Sequence, residues 1–245
     1  MQFTAQTSSN GVVERNFILG EVTGVLWSPT AGSEHAPLVL TGHGGGLHKK
    51  APGVVARAHH YVTTCGFTVA AIDAPGHGDR PRNAQDEQWV EALRAARAAG
   101  EPIDAFVIDY NSSLAERAVP EWQATLDALQ ALPEIGTEAP VGYGGMTLAT
   151  AIGVPLTAIE PRITAAVFGG ALAYKALTEA ARRITIPVQF LLPWDDQEIS
   201  RQHGLAVFDA FASTGKTLHA TPGGHREVPW FEVEDSARFF QRHLR

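Results

Sequence analysis

The 245-residue chain has a single cysteine, Cys65, so it can form no internal disulfide. With no C-x-x-C pair or Cys/His cluster, it has no ligand spacing for a structural zinc site either. Charge is sparse as well: 18% of residues are charged, and 19 basic against 26 acidic side chains leave a net −7. A chain without cationic excess has no electrostatic footprint for nucleic acid or anionic lipid, and −7 is an ordinary solubilising charge. Long hydrophobic runs are also scarce. The one uncharged stretch, 139–159, is broken by Pro140, Pro155 and Gly142, Gly144, Gly145 and Gly153, and is diluted by three threonines. It reads as a buried strand running into a buried helix rather than a membrane span. The first residues lack both the basic and the apolar regions of a signal peptide, so the expected location is cytoplasmic. A 44% hydrophobic composition excludes disorder, and the length fits one large domain or two small ones.

What the sequence does contain is a succession of short apolar runs. Val12–Leu19 and Glu21–Trp27, separated by Gly20, predict an opening antiparallel pair. Runs follow at 37–41, 67–72, 139–143, 163–168, 187–192 and 216–220, bounded by Gly, Pro or Asp. They lack polar alternation, as expected of parallel strands covered by helices on both faces. Stretches at 53–65, 87–99, 119–132, 147–159, 174–183, 199–212 and 228–243 have helical spacing, the fourth expected to stop near Pro155. The pattern predicts a doubly wound, mostly parallel α/β sheet of about eight strands in a single domain spanning 1–245. The polar stretch 80–120 has no clear strand and is expected to form a lid over the carboxyl edge of the sheet.

In such a sheet ligands bind beyond the carboxyl ends of the strands, so the residues following each run carry the chemistry. After 37–41 comes Gly42-His43-Gly44-Gly45-Gly46, whose backbone N–H groups can hold an oxyanion. After 67–72 comes Asp73-Ala-Pro-Gly-His77-Gly78, read as a structural turn. After 139–143 comes Gly145-Met146-Thr147-Leu148-Ala149, in the strand-turn-helix context of a G-x-S-x-G nucleophile elbow but with Thr147 in place of serine. After 187–192 come Trp194, Asp195 and Asp196, and after 216–220 comes Gly223-Gly224-His225. A hydroxyl, a carboxylate and an imidazole at three successive strand ends form a triad in the chain order Thr147, Asp196, His225, with Asp195 competing for the acid role.

These motifs together resemble the α/β-hydrolase superfamily over nearly the whole chain, most closely small carboxylesterases and dienelactone-hydrolase-related proteins. The resemblance implies that Gly44, Gly45 and Leu148 supply the oxyanion hole and that Met146 and Trp194 border the substrate. It favours Asp196 because Pro193 then opens a four-residue turn ending on the acid. It also favours Thr147 over an alternative elbow on Gly142-Tyr143-Gly144-Gly145-Met146, since Thr147 stands at the matching distance before Gly153-Val154-Pro155. The implied activity is cofactor-independent, metal-free hydrolysis of a small-molecule ester, lactone or related acyl substrate. Two other readings use the same residues: a lyase, cyclase or isomerase with His225 as general base, or a binding protein with a retired elbow. Cys65 is expected to be a buried structural thiol, His59-His60 a poor metal pair, and His48-Lys49-Lys50 a solvated face.

Overall fold

Strand chemistry accounts for most of the architecture. In the computed structural model, which describes residues 1–31, 35–225 and 227–244, every apolar run becomes a strand of one nine-stranded sheet, ordered β1-β2-β3-β5-β4-β6-β7-β8-β9. The opening is an antiparallel meander of β1 (Gln2–Ser9), β2 (Val12–Leu19) and β3 (Val22–Pro29), and β3 also runs antiparallel to β5 (Thr68–Ile72). The others, β4 (Leu38–Thr41), β6 (Val141–Gly144), β7 (Ile163–Gly169), β8 (Val188–Pro193) and β9 (Lys216–Thr221), are parallel to their neighbours. The ninth strand is β1, for which the sequence shows no apolar run. Its residues, QFTAQTSS, are almost all exposed, as suits an edge strand with little to bury.

Both faces of the central strands are buried. In β5, Ala70 and Ile72 point into one apolar cluster and Val69 and Ala71 into the other, and in β4 Leu38 and Leu40 part from Val39 in the same way. One face is covered by α1 (Pro52–Cys65) and α7 (Trp230–His243), through Val54, Tyr61, Val233 and Phe240. The other is covered by α3 (Asp104–Gln130), α4 (Leu148–Thr157), α5 (Lys175–Ala181) and α6 (Arg201–Ala210), through Trp122, Leu126, Ile152, Leu177 and Val207. Pro155 proved a weaker break than expected, and the helix predicted from 119 starts well before it. α4 continues through Pro155 to Thr157, and α3 contains Pro120 and begins at Asp104 rather than near Val119. Packing of their apolar faces outweighs the one backbone hydrogen bond each proline removes. Among the described residues no helix is long and apolar enough to cross a membrane.

The remaining helix, α2 (Ala84–Ala99), is capped by Asn83, whose side chain accepts the Asp86 N–H at 2.7 Å. Only Asp86 and Ala96 of α2 are buried. Its first turn sits against Gly76 in the loop after β5, and its last turn reaches the loop after β8 through Arg97 and Glu198 at 3.2 Å. From β5 to β8 is four strand spacings, roughly 19 Å, and a 16-residue helix is about 24 Å long. α2 is therefore long enough to bridge the carboxyl ends of β4, β6 and β7. A bidentate pair between Arg117 and the buried Asp86 fastens it to α3.

Candidate active site

Among the described residues, the β6–α4 junction holds a rare backbone conformation. Thr147 has φ 58° and ψ −115°, a region that β-branched residues avoid. The positive φ falls on Thr147 and not on Gly144, which completes β6 as an ordinary strand residue. Neighbouring groups hold the turn. The Thr147 N–H donates to Gly169 O at 2.9 Å and the Gly145 N–H to Val167 O at 3.0 Å. The buried Thr150 hydroxyl donates to Gly169 O at 2.7 Å and accepts the Gly169 N–H at 3.0 Å. Gly44 makes room for the hydroxyl of Thr147, while the methyl keeps an ordinary van der Waals separation from Gly170. The Thr147 Oγ1 lies 2.9 Å from where a Cβ on Gly44 would stand, and its methyl 3.4 Å from the same point on Gly170. Ala149 is accommodated similarly, its Cβ filling the space that side chains on Gly42 and Gly145 would need.

The glycine loop after β4 is shaped by His43. Nε2 accepts the Ala74 N–H at 3.0 Å, so the ring proton is on Nδ1, which donates to Gly44 O at 2.9 Å. Burial pushes this imidazole down to about 4, which keeps it neutral. Beneath it, Asp73 is fully buried and accepts from the Lys49 N–H and Nζ, the Asp79 N–H and the Thr23 hydroxyl. Burial alone would raise the Asp73 carboxyl; these donors outweigh it and hold the group below the usual carboxylate range. Lys49 thus departs from the solvated face expected of it, because the Asp73 and Asp79 carboxylates draw its ammonium into a buried site. Between the glycine loop and the start of α2 lies a cleft of about 230 Å³, lined by Gly46, Leu47, His77, Arg82 and Glu87 among others.

On the far side of the elbow, β8 and β9 deliver the acid and the imidazole. Asp196 Oδ2 accepts from His225 Nδ1 at 2.8 Å, while its Oδ1 accepts the Glu198 and Ile199 N–H groups at 2.8 and 3.0 Å. The Asp196 side chain is 2% exposed and that of His225 17%, so the carboxylate is dry and the ring has one accessible side. The neighbouring Asp195 instead reaches the Gly223 N–H at 3.3 Å. With Nδ1 donating to Asp196, the lone pair of His225 is left on Nε2. The other expected residues are spread around the elbow. Leu148 is buried at the first position of α4, where an N–H has no carbonyl four residues back within the helix. The Met146 side chain reaches Gly169 and Gly170. Gly45 has open space at its Cα, and Trp194 is 42% exposed under the Arg201 guanidinium. Cys65 ends α1 with its thiol pushed up to about 11 by burial, which makes it unreactive at neutral pH.

His43 lies in the predicted glycine-loop motif, whereas Lys49 and Thr150 belong to this framework with no role predicted for them from the sequence. Nothing in the spacing distinguishes Thr150 or Lys49 from surface residues.

No protein-family model matches the chain, and no curated protein does. Solved structures do. A cold-adapted esterase from an Arctic intertidal metagenomic library, in complex with polyethylene glycol, is 34% identical with a TM-score of 0.78, covering 100% of both chains. An acetyl xylan esterase from Paenibacillus sp. R4 is 14% identical with a TM-score of 0.72, covering 99% of this chain and 88% of its own. Est1E from Butyrivibrio proteoclasticus, solved with ferulic acid, is 13% identical with a TM-score of 0.68, covering 98% and 99%. The last two share the fold, whereas the identity to the Arctic enzyme extends over the full length of both, and the chain belongs to its family of α/β-hydrolase esterases.

Proposed function

We propose that the chain hydrolyses carboxylic esters or lactones through an acyl-threonine intermediate on Thr147. His225 Nε2 takes the proton from Thr147 Oγ1 as that oxygen bonds to the substrate carbonyl carbon. Asp196, already hydrogen-bonded to Nδ1, stabilises the resulting imidazolium. The carbonyl oxygen, now negative, is held by the N–H of Leu148 and by backbone N–H groups of Gly44 and Gly45. His225 returns the proton to the departing alcohol, then deprotonates a water that cleaves the acyl-threonine ester and restores the hydroxyl. The cleft beside Gly46 receives one side of the ester, and α2, anchored on the loops after β5 and β8, is its lid.

The observation that carries this reading is the backbone of Thr147. A β-branched residue held at φ 58° costs on the order of 1–3 kcal/mol, and such strain is kept where the surrounding structure imposes it for function. The test is intact-mass analysis after treatment with a fluorophosphonate, with peptide mapping of the adduct, alongside hydrolysis of p-nitrophenyl acetate. The expected outcome is one adduct on Thr147 and loss of turnover in Thr147→Ala. An adduct elsewhere, or wild-type turnover in Thr147→Ala, overturns the proposal.

A further inference from the structure

On the face of the sheet covered by α7, a second cluster of ligating side chains lies outside the Thr147 site. His219 projects from β9, and Glu232 and Asp235 from the first turns of α7. One ligand atom from each lies within 4.8 Å of the others. Glu232 is 4% exposed, and its Oε2 is 2.8 Å from His219 Nδ1. Behind them on β8, Gln189 is 1% exposed, with Nε2 3.1 Å from the same Nδ1 and with Oε1 lacking a partner among the described residues. The protons do not balance. A carboxylate at Nδ1 requires Nδ1–H, an amide NH₂ at Nδ1 requires a lone pair, and one nitrogen cannot supply both. Rotating the Gln189 amide by half a turn puts its orphaned Oε1 at that position instead. Oxygens from Glu232 and Gln189 then both face His219 Nδ1, with an Asp235 oxygen within 4.8 Å of the His219 and Glu232 ligand atoms.

We propose that His219, Glu232, Asp235 and Gln189 form a site for one divalent transition-metal cation, with Zn²⁺ as its reference ligand. An N/O set containing imidazole suits zinc rather than magnesium or calcium, which favour oxygen-only shells. With bonds of about 2.0–2.1 Å, tetrahedral ligands stand about 3.3 Å apart, so the cluster closes by about 1.5 Å at its widest. Asp235, with its side chain 37% exposed on the rim, supplies that movement by turning from Arg238, with which it forms an exposed ion pair. The placement gives the site a role. His219 lies six residues before His225 and Glu232 seven after, so a bound cation staples the end of β9 to the start of α7 across the loop that carries His225. The ligands come from two strands and one helix, which is why no spacing motif announces the site.

The experiment titrates chelator-treated full-length protein with ZnCl₂, following calorimetry and thermal unfolding, with MgCl₂ in parallel. The expected result is one zinc per chain and a rise in melting temperature of about 5–10 °C at a hundredfold excess over Kd, with no rise from magnesium. His219→Ala and Glu232→Gln should each weaken binding at least tenfold, while His225→Ala leaves it unchanged, separating this site from the His225–Asp196 pair. If His219→Ala fails to fold, Glu232→Gln and the visible absorption of a Co²⁺ complex decide the question. No zinc response in the wild type, an equal response in Glu232→Gln, or loss of the response in His225→Ala overturns the proposal.

Discussion

Replacing Thr147 with serine removes the methyl group and leaves the hydroxyl, so it isolates what the β-branch costs. The methyl belongs to a half-buried residue, and losing it forfeits at most about 0.8 kcal/mol for a CH₂-sized group. Against this stands the strain of a β-branched residue at φ 58°, on the order of 1–3 kcal/mol, part of which serine relieves. The balance predicts a gain of roughly 0–2 kcal/mol, which in a chain of this length is a melting temperature raised by up to about 8 °C. The catalytic effect should be larger. Threonine is stiff about χ1, so its hydroxyl cannot swing between His225 and the carbonyl without carrying the methyl with it. If that costs about 1.4 kcal/mol at the transition state, Thr147→Ser raises kcat tenfold. Steady-state hydrolysis of p-nitrophenyl acetate should show kcat up about tenfold or more, with KM within about twofold. Equal turnover with Ser, Thr and Ala at position 147 would refute both the hydroxyl's role and the cost of the methyl.

Three further outcomes follow from the framework around the elbow. Asp196→Asn should lower kcat by roughly 10³–10⁴ through loss of the Nδ1 hydrogen-bond acceptor, while Asp195→Asn stays within about threefold; equal losses in the two would reassign the acid. Lys49→Met strands the buried Asp73 carboxylate and should cost about 3–5 kcal/mol in urea unfolding at pH 7. Asp73 is held below its ordinary value and Lys49, despite burial, is held above its own by the hydrogen bonds it donates to Asp73 and Asp79. The pair's contribution is therefore full between about pH 4 and pH 10, falling below that window as Asp73 protonates and above it as Lys49 deprotonates; an unchanged profile in Lys49→Met would contradict this. His43, neutral in the fold, contributes fully above its ordinary 6.5 and progressively less as pH falls toward about 4, a loss of about 3 kcal/mol that His43→Gln should remove from a pH series of unfolding curves. His77, also held down by burial, adds a slope of the same sign that survives in that variant.

The central sheet could be read from the sequence because burial on both faces imprints itself directly: Leu38, Val39 and Leu40 must all be apolar when successive side chains enter opposite cores. The edge could not, since β1 buries almost nothing and its pairing is a matter of backbone hydrogen bonds that any polar residue makes. At the site, residues on turns right after strands stood out because glycine and histidine there are conspicuous. Thr150 and Lys49 did not, because their value lies in partners 19 and 24 residues away, Gly169 and Asp73. The choice between Asp195 and Asp196 was equally closed to composition and spacing. It turns on which of two adjacent carboxylates points at His225 and which at Gly223.

The same geometry bears on whether an elbow with threonine is in decay. A decaying elbow would be free to shed its strain, since relaxing Thr147 to an ordinary backbone recovers on the order of 1–3 kcal/mol. Here the surroundings do the opposite. Glycine stands where Thr147 presents its hydroxyl, and again where Ala149 presents its Cβ against Gly42 and Gly145, 2.5 and 2.3 Å from the points at which side chains would begin. Thr150 spends its hydroxyl on both backbone groups of Gly169, whose carbonyl also receives the Thr147 N–H. A Gly44→Ala change puts a methyl within 2.9 Å of Thr147 Oγ1, so it should abolish turnover while barely shifting the melting temperature. An elbow that no longer matters would tolerate that methyl with no loss at all, and the ratio of the two effects measures how far the space around Thr147 serves catalysis rather than folding.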